Sequence, residues 1–425
     1  MKKVLIIGFL YPLTLSSAGS WRMLPLAKHL SKFGWEPIAL TSFLVKKSDL
    51  PFRVIETPYR HMLDFWIRLF RFNRNEDITV QVKRRFGINR KKSLIDIILT
   101  LGTEIFHYPE GSKGWKSVAV KASEELFAQE NIDAIISCRP ITSYLVGSEL
   151  TAKFKVPWIA DLTDLWSQNH YYRYGTLRQW LDRRLELKTL AKADALVTNS
   201  RPWADKLQAL HKRETVYAIT HGFDPAEVNI PPVGLTTKFT ITYTGNIYSE
   251  RQDPSKFFAV LQELLNDGTM DPNDIDVRFY GRLDGWLEKE IEKYGLSDIV
   301  KQCGIIPRED VLKKQAESQL LLLLDWDDPQ EKGVYGGKVF EYMAARRPVL
   351  ATGGSDDNVT AELLDETKAG IHAVTEADIK HALRELYQEY KLKGGIAYKG
   401  EESKISKYSH HEMARKFAEV LDSLT

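Results

Sequence analysis

Cysteine is nearly absent from this sequence, which contains only Cys138 and Cys303 among 425 residues. The two lie on apolar segments far apart, so there is no disulfide framework and a reducing compartment is expected. The sequence also has no large excess of charge of one sign, because 59 lysines and arginines nearly balance 57 aspartates and glutamates. The resulting net charge of +2 argues against nucleic-acid binding by bulk electrostatics, and we expect no nucleic-acid partner.

Long hydrophobic runs are also missing, since no apolar stretch approaches the roughly 20 residues of a membrane-spanning helix. The N-terminus is similar to a signal peptide, because Met-Lys-Lys is followed by an apolar run at residues 4–10. However, Gly8 and Pro12 interrupt that run, and the start of a helix follows directly. A buried first strand explains the same residues, so we expect a cytoplasmic protein.

Several sequence motifs of common enzyme classes do not occur. No Gly-x-Gly-x-x-Gly or Walker loop follows the first strand of either half, which disfavours a dehydrogenase and an NTPase. Gly-x-Ser-x-Gly is absent, so an α/β-hydrolase would have no nucleophile elbow. The ten histidines show no metal-ligand spacing, and we predict neither a metal ion nor another cofactor.

What the sequence does contain is a regular alternation of short apolar runs and helical segments. A chain of 425 residues exceeds a single core, so two domains are the default. The pattern predicts an α/β fold with two doubly wound, Rossmann-like domains that face a central cleft. We place these domains at residues 1–232 and 233–408, on either side of a proline-rich linker. The predicted strands are 4–8, 36–41, 132–137, 158–161, 195–198, 239–244, 276–280, 319–324 and 348–352.

Glycine-containing turns follow the strands of the second half, at Gly245–Arg251, Gly281-Arg282 and Gly336-Gly337-Lys338. Helix N-termini that a glycine leaves accessible bind phosphate, and Arg251 and Lys338 would add full positive charges. Glu341 lies one turn inside the following helix and suits the paired hydroxyls of a ribose. These turns predict a site for a nucleoside diphosphate. The alternative is that Lys338 and Glu341 form an ordinary surface ion pair.

The segment Lys-Val-Phe-Glu-Tyr-Met-Ala-Ala-Arg-Arg-Pro-Val-Leu-Ala, residues 338–351, resembles the donor-site segment of family-4 retaining glycosyltransferases of the GT-B fold. The resemblance is to the bacterial surface-polysaccharide type and runs through most of the chain. Four further motifs carry it in the right order: Tyr11-Pro12 with Gly19-Ser20-Trp21-Arg22, the segment 156–166, His221-Gly222-Phe223-Asp224 and Tyr243-Thr244-Gly245-Asn246. It also implies that a C-terminal helix, residues 409–425, packs back on the N-terminal domain.

Three positions depart from the family pattern. Gly333 stands where the family has the first of two glutamates, and Glu331 is two residues away from that place. Asn246 replaces an arginine after the first strand of the donor domain, although Arg251 falls where the family has a lysine. Thr163 replaces the arginine before Asp164. These departures concern the donor-sugar contacts more than the fold.

The resemblance implies sugar transfer with retention at the anomeric carbon and a nucleoside diphosphate as leaving group. Cations near the departing β-phosphate lower the barrier, and the phosphate can accept the proton of the acceptor hydroxyl. The candidate catalytic residues are Arg251, Lys338 and Asp164, with Lys256 as a weaker candidate. The alternative for Asp164 is a helix N-cap before Trp166. The candidate donor-binding residues are Gly245, Asn246, Tyr335, Gly336, Gly337 and Glu341, and the acceptor-side candidates are Gly19, Ser20 and Arg22.

The predicted function is transfer of a hexosyl or N-acetylhexosaminyl group from a UDP-sugar to a lipid-linked or oligosaccharide acceptor, for a cell-surface polysaccharide. One alternative is a sugar-nucleotide epimerase of the same fold, in which Asp161 and Glu331 would serve as acid and base. Another is a catalytically silent nucleotide-sugar-binding protein, suggested by Gly333. No metal is expected, because the predicted sites are cations and helix N-termini. The one counterexample is the group of aspartates at 325, 327 and 328, which are interpreted as a solvated loop that leads to the phosphate turn.

Residues 59–93 mix arginines and lysines with aromatic and aliphatic residues. On a helix, one face would collect Met62, Phe65, Trp66, Leu69 and Phe70. A basic amphipathic segment of this kind can lie on an anionic bilayer, which would place the protein at the inner face of the plasma membrane. The alternative is a helix that packs on the domain and has a solvated basic edge.

Overall fold

The computed structural model describes residues 1–9, 18–42, 50–58, 108–225, 233–249 and 251–425. The predicted membrane segment 59–93, Tyr11-Pro12 and residues 229–232 of the predicted linker lie outside the described residues. The chain divides into two compact units. The first comprises Met1–Ile219 together with Ala414–Thr425, and the second comprises Thr220–Met413.

The first unit is built on a sheet of seven parallel strands. In chain order they are β1 (Lys2–Ile7), β2 (Trp35–Ser42), β3 (Arg53–Thr57), β4 (Ala134–Ser137), β5 (Trp158–Leu162), β6 (Ala195–Thr198) and β7 (Val216–Ala218). The spatial order is β3-β2-β1-β4-β5-β6-β7. The connecting helices described are α1 (Ala18–Leu30), α2 (Trp115–Gln129), α3 (Ile141–Phe154), α4 (Thr176–Leu190) and α5 (Arg201–His211). The strand order changes direction between β1 and β4.

The second unit has a sheet of six parallel strands. They are β8 (Phe239–Thr244), β9 (Ile275–Tyr280), β10 (Val300–Gly304), β11 (Leu320–Leu324), β12 (Val349–Thr352) and β13 (Gly370–Ala373), in the spatial order β10-β9-β8-β11-β12-β13. The described helices are α6 (Ser255–Asn266), α7 (Gly285–Lys293), α8 (Arg308–Glu317), α9 (Lys338–Ala344), α10 (Val359–Thr367), α11 (Glu376–Lys393) and α12 (Glu402–Ile405). The last helix of the chain, α13 (His410–Leu424), belongs to the first unit from Ala414 onward. Here the strand order changes direction between β8 and β11.

Both sheets are buried on two faces, which explains the continuous apolar strands. In β11, Leu320, Leu322 and Leu324 belong to one apolar cluster, whereas Leu321 and Leu323 belong to another. Alternate side chains of a strand point to opposite faces, so each face of this sheet has its own core. The second cluster includes Val339 and Phe340 of α9, which fixes this short helix against the sheet.

From Ala414 onward the last helix, α13, belongs to the first unit, and several side chains pack it there. The Trp35 indole N–H donates to Asp422 at 3.1 Å, and Lys2 lies 3.7 Å from the same carboxylate. The Arg22 guanidinium lies 5.2 Å from the ring centroid of Phe417. Within the described residues, no helix combines the length and the apolar character needed to cross a bilayer.

Candidate functional site

The second sheet changes direction between β8 and β11, and ligands of doubly wound sheets bind beyond the carboxyl ends of the strands at such a point. The loop that follows β8 begins at Gly245, and the loop that follows β11 begins at Asp325 and ends at Gly337. The predicted phosphate-binding turns therefore meet at the expected edge of the sheet.

Gly245 is a position that only glycine fits. Its φ angle is +111°, and its N–H donates to the Tyr280 carbonyl at 2.6 Å. A Cβ atom built there would lie 2.4 Å from Cε of Lys338. The glycine therefore allows the lysine chain to cross directly over the end of β8, although the two residues are far apart in the sequence. A Cβ on Gly281 would likewise lie 2.3 Å from the Gly245 carbonyl oxygen.

The Lys338 ammonium is held at this edge by weak contacts. Its Nζ lies 5.0 Å from the ring centroid of Tyr243 and 3.4 Å from the Asn246 carbonyl oxygen. Burial lowers the pKa of Lys338, while the neighbouring Tyr342 and Glu341 act in the opposite direction. Among the described residues, no ion pair joins Lys338 to a carboxylate at salt-bridge distance. This positive charge is thus not neutralised by a direct partner.

We expect Gly245→Ala to weaken nucleoside diphosphate binding by about tenfold or more. An alanine at this φ is strained by about 1–3 kcal/mol, and its methyl group displaces the Lys338 side chain. Gly268→Ala is the control, because Gly268, just after α6, also has a positive φ of +72°, but an added methyl group there would have no atom within 4 Å. Calorimetric titration with UDP checks both variants. Equal affinity of Gly245→Ala and the wild type would contradict the proposed path of Lys338.

Arg251 lies on the loop after β8 and faces the loop after β11. Its Nη1 is 3.2 Å from Asp328, and the backbone N–H of Asp327 donates to the Arg251 carbonyl at 2.8 Å. Lys256, in the first turn of α6, lies 3.6 Å from Asp327. These contacts join the two loops, and the two aspartates partly neutralise both cations. An incoming phosphate would share Arg251 with Asp328.

Glu341 does not pair with Lys338 but with Arg308, the first residue of α8. Arg308 Nη1 lies 3.0 Å from Glu341 Oε1, and Gln315 Nε2 lies 3.5 Å from Oε2. The alternative interpretation of a Lys338–Glu341 surface pair is therefore wrong. The carboxylate is half-buried, and its orientation is fixed from the side of α8.

A buried polar network lies beneath Glu341. Gln315 Nε2 donates to the Thr244 hydroxyl at 2.9 Å, and the backbone N–H of Thr244 donates to the Tyr342 hydroxyl at 2.9 Å. The network ties the end of β8 to α8 and α9, so the two glycine loops keep a fixed separation. The sequence interpretation missed Arg308, Gln315 and Tyr342, because their roles depend on pairing between segments far apart in the chain.

The other donor-side candidates have different surroundings. Gly336 accepts a hydrogen bond from the Val339 N–H at 2.9 Å, and no side chain caps the start of α9 at Gly337. Asn246 Oδ1 lies 3.4 Å from the backbone nitrogen of Arg282, which links the first two turns. Tyr335 packs on Phe340 with ring centroids 5.5 Å apart, so its ring belongs to the core below α9.

Asp325 is not part of a solvated loop, contrary to the interpretation from the sequence. Its carboxylate is buried and accepts hydrogen bonds from Asn358 Nδ2 at 2.9 Å and the Thr360 hydroxyl at 3.2 Å. His372 Nε2 lies 3.3 Å from the same carboxylate. Asp325 therefore joins the loop after β11 to the loop after β12. Within the described residues, no group of three or more histidine, cysteine or acidic side chains is arranged to hold a metal ion.

Gly333 and Glu331, where the chain departs from the family pattern, are in contact within one loop. The Glu331 backbone N–H donates to the Asp328 carbonyl at 2.9 Å, and the Gly333 N–H lies 3.3 Å from Glu331 Oε1. Glu331 thus folds back on its own loop. The turn that contains Glu331 begins at Asp328, which pairs with Arg251.

In the first unit, Arg22 is completely buried, although the sequence predicts an acceptor-side contact. Its Nε donates to both oxygens of Asp161, at 3.0 and 2.8 Å, and Nη2 donates to the Ile219 carbonyl at 2.7 Å. Burial raises the pKa of Asp161, and Arg22 counteracts this shift. Because the Arg22 side chain has no exposed surface, it orients Asp161 rather than contacting an acceptor. Gly19 and Ser20 lie in the first turn of α1.

Asp164 follows β5 and pairs with Arg139, which follows β4. Arg139 Nη1 lies 2.7 Å from Asp164 Oδ2, and both side chains are partly exposed. No described helix begins near Trp166, since α4 starts only at Thr176, so the N-cap interpretation of Asp164 is wrong. Arg139 lies next to the point where the first sheet changes direction, and the sequence interpretation did not single it out.

No protein-family model matches the sequence, and a search of curated proteins gives no significant match. Solved structures match over nearly the whole chain. Sucrose-phosphate synthase from Thermosynechococcus elongatus has a TM-score of 0.56 at 14% identity and covers 100% of this chain and 95% of its own. A mutant of TarM from S. aureus, in complex with UDP, fondaparinux and alpha-GlcNAc-glycerol, has a TM-score of 0.58 at 11% identity and covers 99% and 100%.

A third similar structure is a putative UDP-N-acetylglucosamine 2-epimerase from Listeria monocytogenes, with a TM-score of 0.51 at 13% identity and coverage of 100% and 96%. At these identities the similarity shows the fold alone. The fold is the GT-B type of two parallel-sheet α/β domains, with seven and six strands, and the fold class predicted from the sequence is confirmed.

Proposed function

We propose that this protein is a retaining glycosyltransferase that transfers a sugar from a UDP-sugar to a lipid-linked saccharide of a surface polysaccharide. One observation carries the proposal: the Lys338 chain crosses Gly245 at the switch point of the second sheet, one helical turn from Glu341. A cation and a carboxylate at this spacing suit a diphosphate and a ribose. The similar structure of TarM contains UDP, which supports the choice of nucleotide.

In this proposal, Lys338 and Arg251 stabilise the charge that develops on the departing β-phosphate. The N–H groups at Gly336 and Gly337 and the uncapped start of α9 add dipoles of the same sign. Fixed donors of this kind need no reorganisation during the reaction. Glu341 accepts hydrogen bonds from the ribose hydroxyls and is oriented by Arg308.

For the acceptor we propose Asp164 as a contact to a sugar hydroxyl, with Arg139 as the residue that orients it. The Arg139–Asp164 distance of 2.7 Å fixes the carboxylate while leaving part of it exposed. Gly19 and Ser20 remain proposals on the acceptor side. The acceptor hydroxyl would pass its proton to the leaving phosphate, so no separate protein base is assigned.

The test is a panel of nucleotide sugars, measured first by thermal stabilisation. A ligand at a hundred times its dissociation constant stabilises the native state by about 2.7 kcal/mol, which shifts the unfolding temperature measurably. The stabilising donor is then incubated with lipid-linked and water-soluble acceptors, and NMR determines the anomeric configuration of the product. Binding of UDP-sugars with a retained configuration supports the proposal. No stabilisation by any nucleotide sugar, or an inverted product, would refute it.

A sugar-nucleotide epimerase is the second candidate, because the putative epimerase from Listeria monocytogenes shares the fold. Asp161 is one of the two acid/base residues that such an activity would use, but its carboxylate is fully buried and held by Arg22. Incubation of UDP-sugars without acceptor separates the two functions. An epimerase converts the sugar under these conditions, whereas a transferase shows at most slow hydrolysis.

We expect transfer to be independent of divalent metal ions, because the proposed phosphate ligands are cations and backbone N–H groups. The aspartates of the loop after β11 are already engaged, Asp328 by Arg251, Asp327 by Lys256, and Asp325 by Asn358 and Thr360. The measurement is the transfer rate with EDTA and after addition of magnesium or manganese. Loss of activity in EDTA and its recovery with metal would overturn this expectation.

A further inference from the structure

Helix α4 of the first unit buries three charged side chains and exposes three large apolar ones. Arg178, Asp182 and Glu186 are 5%, 2% and 0% exposed. Leu177, Trp180 and Leu181 are 70%, 51% and 38% exposed. A surface helix normally buries its apolar stripe, so the orientation of α4 is the reverse of the usual one.

Specific polar contacts hold the buried face of α4. They explain why the helix is not rotated about its axis to bury its apolar side chains instead. Arg178 Nε lies 3.0 Å from Asp182, and the Tyr172 hydroxyl donates to the same carboxylate at 2.6 Å. Glu186 Oε2 accepts the backbone N–H of Ser167 at 2.9 Å. Burying the apolar face instead would break these contacts and leave charged groups without partners.

The outward face of α4 is a continuous apolar stripe, and the exposed charges beside it are all positive. Leu177, Trp180, Leu181 and Arg184 follow the i, i+3, i+4, i+7 spacing of one helical face, and the Arg184 guanidinium lies 4.8 Å from the Trp180 ring centroid. Between residues 173 and 188 the only acidic residues are the buried pair Asp182 and Glu186. The exposed charges of this stretch are all basic: Arg173, Arg183, Arg184 and Lys188.

We propose that this face of α4 docks on an anionic lipid bilayer. The leucines and the tryptophan would enter the boundary between headgroups and acyl chains, where tryptophan is favoured, and the basic side chains would reach the anionic headgroups. A second copy of the chain is a poor occupant, because two such faces repel each other. The lipid surface complements both the apolar stripe and the positive charge.

This docking surface shares no residue with the predicted membrane segment 59–93 and does not depend on the proposed transferase activity. The first experiment is co-sedimentation with vesicles of phosphatidylcholine alone and of phosphatidylcholine with phosphatidylglycerol. We expect binding to the anionic vesicles that weakens with added salt. Each basic residue near such a surface contributes about fivefold in affinity, so Arg183→Gln, Arg184→Gln and Lys188→Gln together should weaken binding about hundredfold.

Leu177→Ser with Trp180→Ser tests the apolar part, and Leu283→Ser with Ile305→Ser, two exposed apolar residues of the second unit, is the matched control. Only the α4 pair should reduce binding. The variant with Arg68, Arg71, Arg84 and Arg85 changed to glutamine separates the two candidate surfaces. If it abolishes binding while the α4 variants bind like the wild type, the docking surface is not α4 and the proposal fails.

A local probe excludes an indirect effect of the substitutions. Cys138 is buried and Cys303 is exposed, so Cys303→Ser with Leu177→Cys gives one reactive thiol on α4. An environment-sensitive dye at this position should shift to the blue with anionic vesicles, and the same dye at Ile305→Cys should not shift. No shift at position 177, or wild-type protein that ignores anionic vesicles, would overturn the proposal and leave an acidic protein as the partner to examine.

Discussion

Replacing Lys338 with glutamine is expected to lower sugar transfer by roughly 10²–10³-fold, the usual cost of removing one donor from a developing oxyanion. The ammonium lies at the carboxyl edge of the second sheet, and within the described residues no carboxylate lies at salt-bridge distance from it. Its charge is therefore available to a phosphate. The measurement is kcat and KM for the donor together with the dissociation constant of UDP.

Lys332→Gln is the matched control, since Lys332 lies on the same loop and pairs with Asp357 at the surface. We expect this variant to keep both transfer and nucleotide affinity. A folded Lys338→Gln protein with the kcat of the wild type would assign phosphate stabilisation to other residues.

The pH dependence of nucleotide binding gives a second signature of Lys338. Burial lowers its pKa below the ordinary 10.5. The ammonium form binds the diphosphate, so affinity should fall as the pH rises through this lowered pKa, before an exposed lysine would lose its charge. In Lys338→Arg the guanidinium stays charged, and this fall should disappear. An unchanged alkaline limb in Lys338→Arg would assign the titration to another group.

The central strands of both sheets could be predicted from the sequence, because burial on two faces makes them continuous apolar runs. The strands 195–198 and 239–244 agree with the observed bounds, and the other predicted strands agree within two residues. The strands β3, β7, β10 and β13 were not predicted, and all four are edge strands. An edge strand such as β10 is only intermittently buried, so it shows no apolar run.

The loops after β8 and β11 could be predicted because their signals are local: a buried strand, then a glycine, then a charged residue. The orientation of their side chains could not be predicted. Glu341 is held by Arg308 at the start of α8, and Asp325 is held by Asn358 before α10 and by His372 on β13. In the same way, the position of Arg22 depends on Asp161, which is 139 residues away. Hydrogen bonds between segments far apart in the chain cannot be predicted from the local pattern of residue types.

Replacing Glu341 with alanine is expected to weaken the binding of the donor and of free UDP together. Two hydrogen bonds from ribose hydroxyls to a carboxylate would be lost, and each is worth roughly 1.5–3 kcal/mol. The affinity for both ligands should therefore fall by about two orders of magnitude or more. Free phosphate and diphosphate without a ribose should bind as before, which separates this effect from that of Lys338→Gln.

Glu317→Ala is the control for the loss of an ion pair in the same unit. Glu317 is 18% exposed and lies 3.3 Å from Arg278, while Glu341 is 16% exposed and lies 3.0 Å from Arg308. The two carboxylates therefore have similar burial and similar arginine partners, but Glu317 ends α8 at the amino-terminal side of the sheet. Both variants should lose a similar amount of stability, and only Glu341→Ala should lose nucleotide affinity. If UDP binds both variants equally well, Glu341 only orients Arg308, and the ribose contact belongs to another residue.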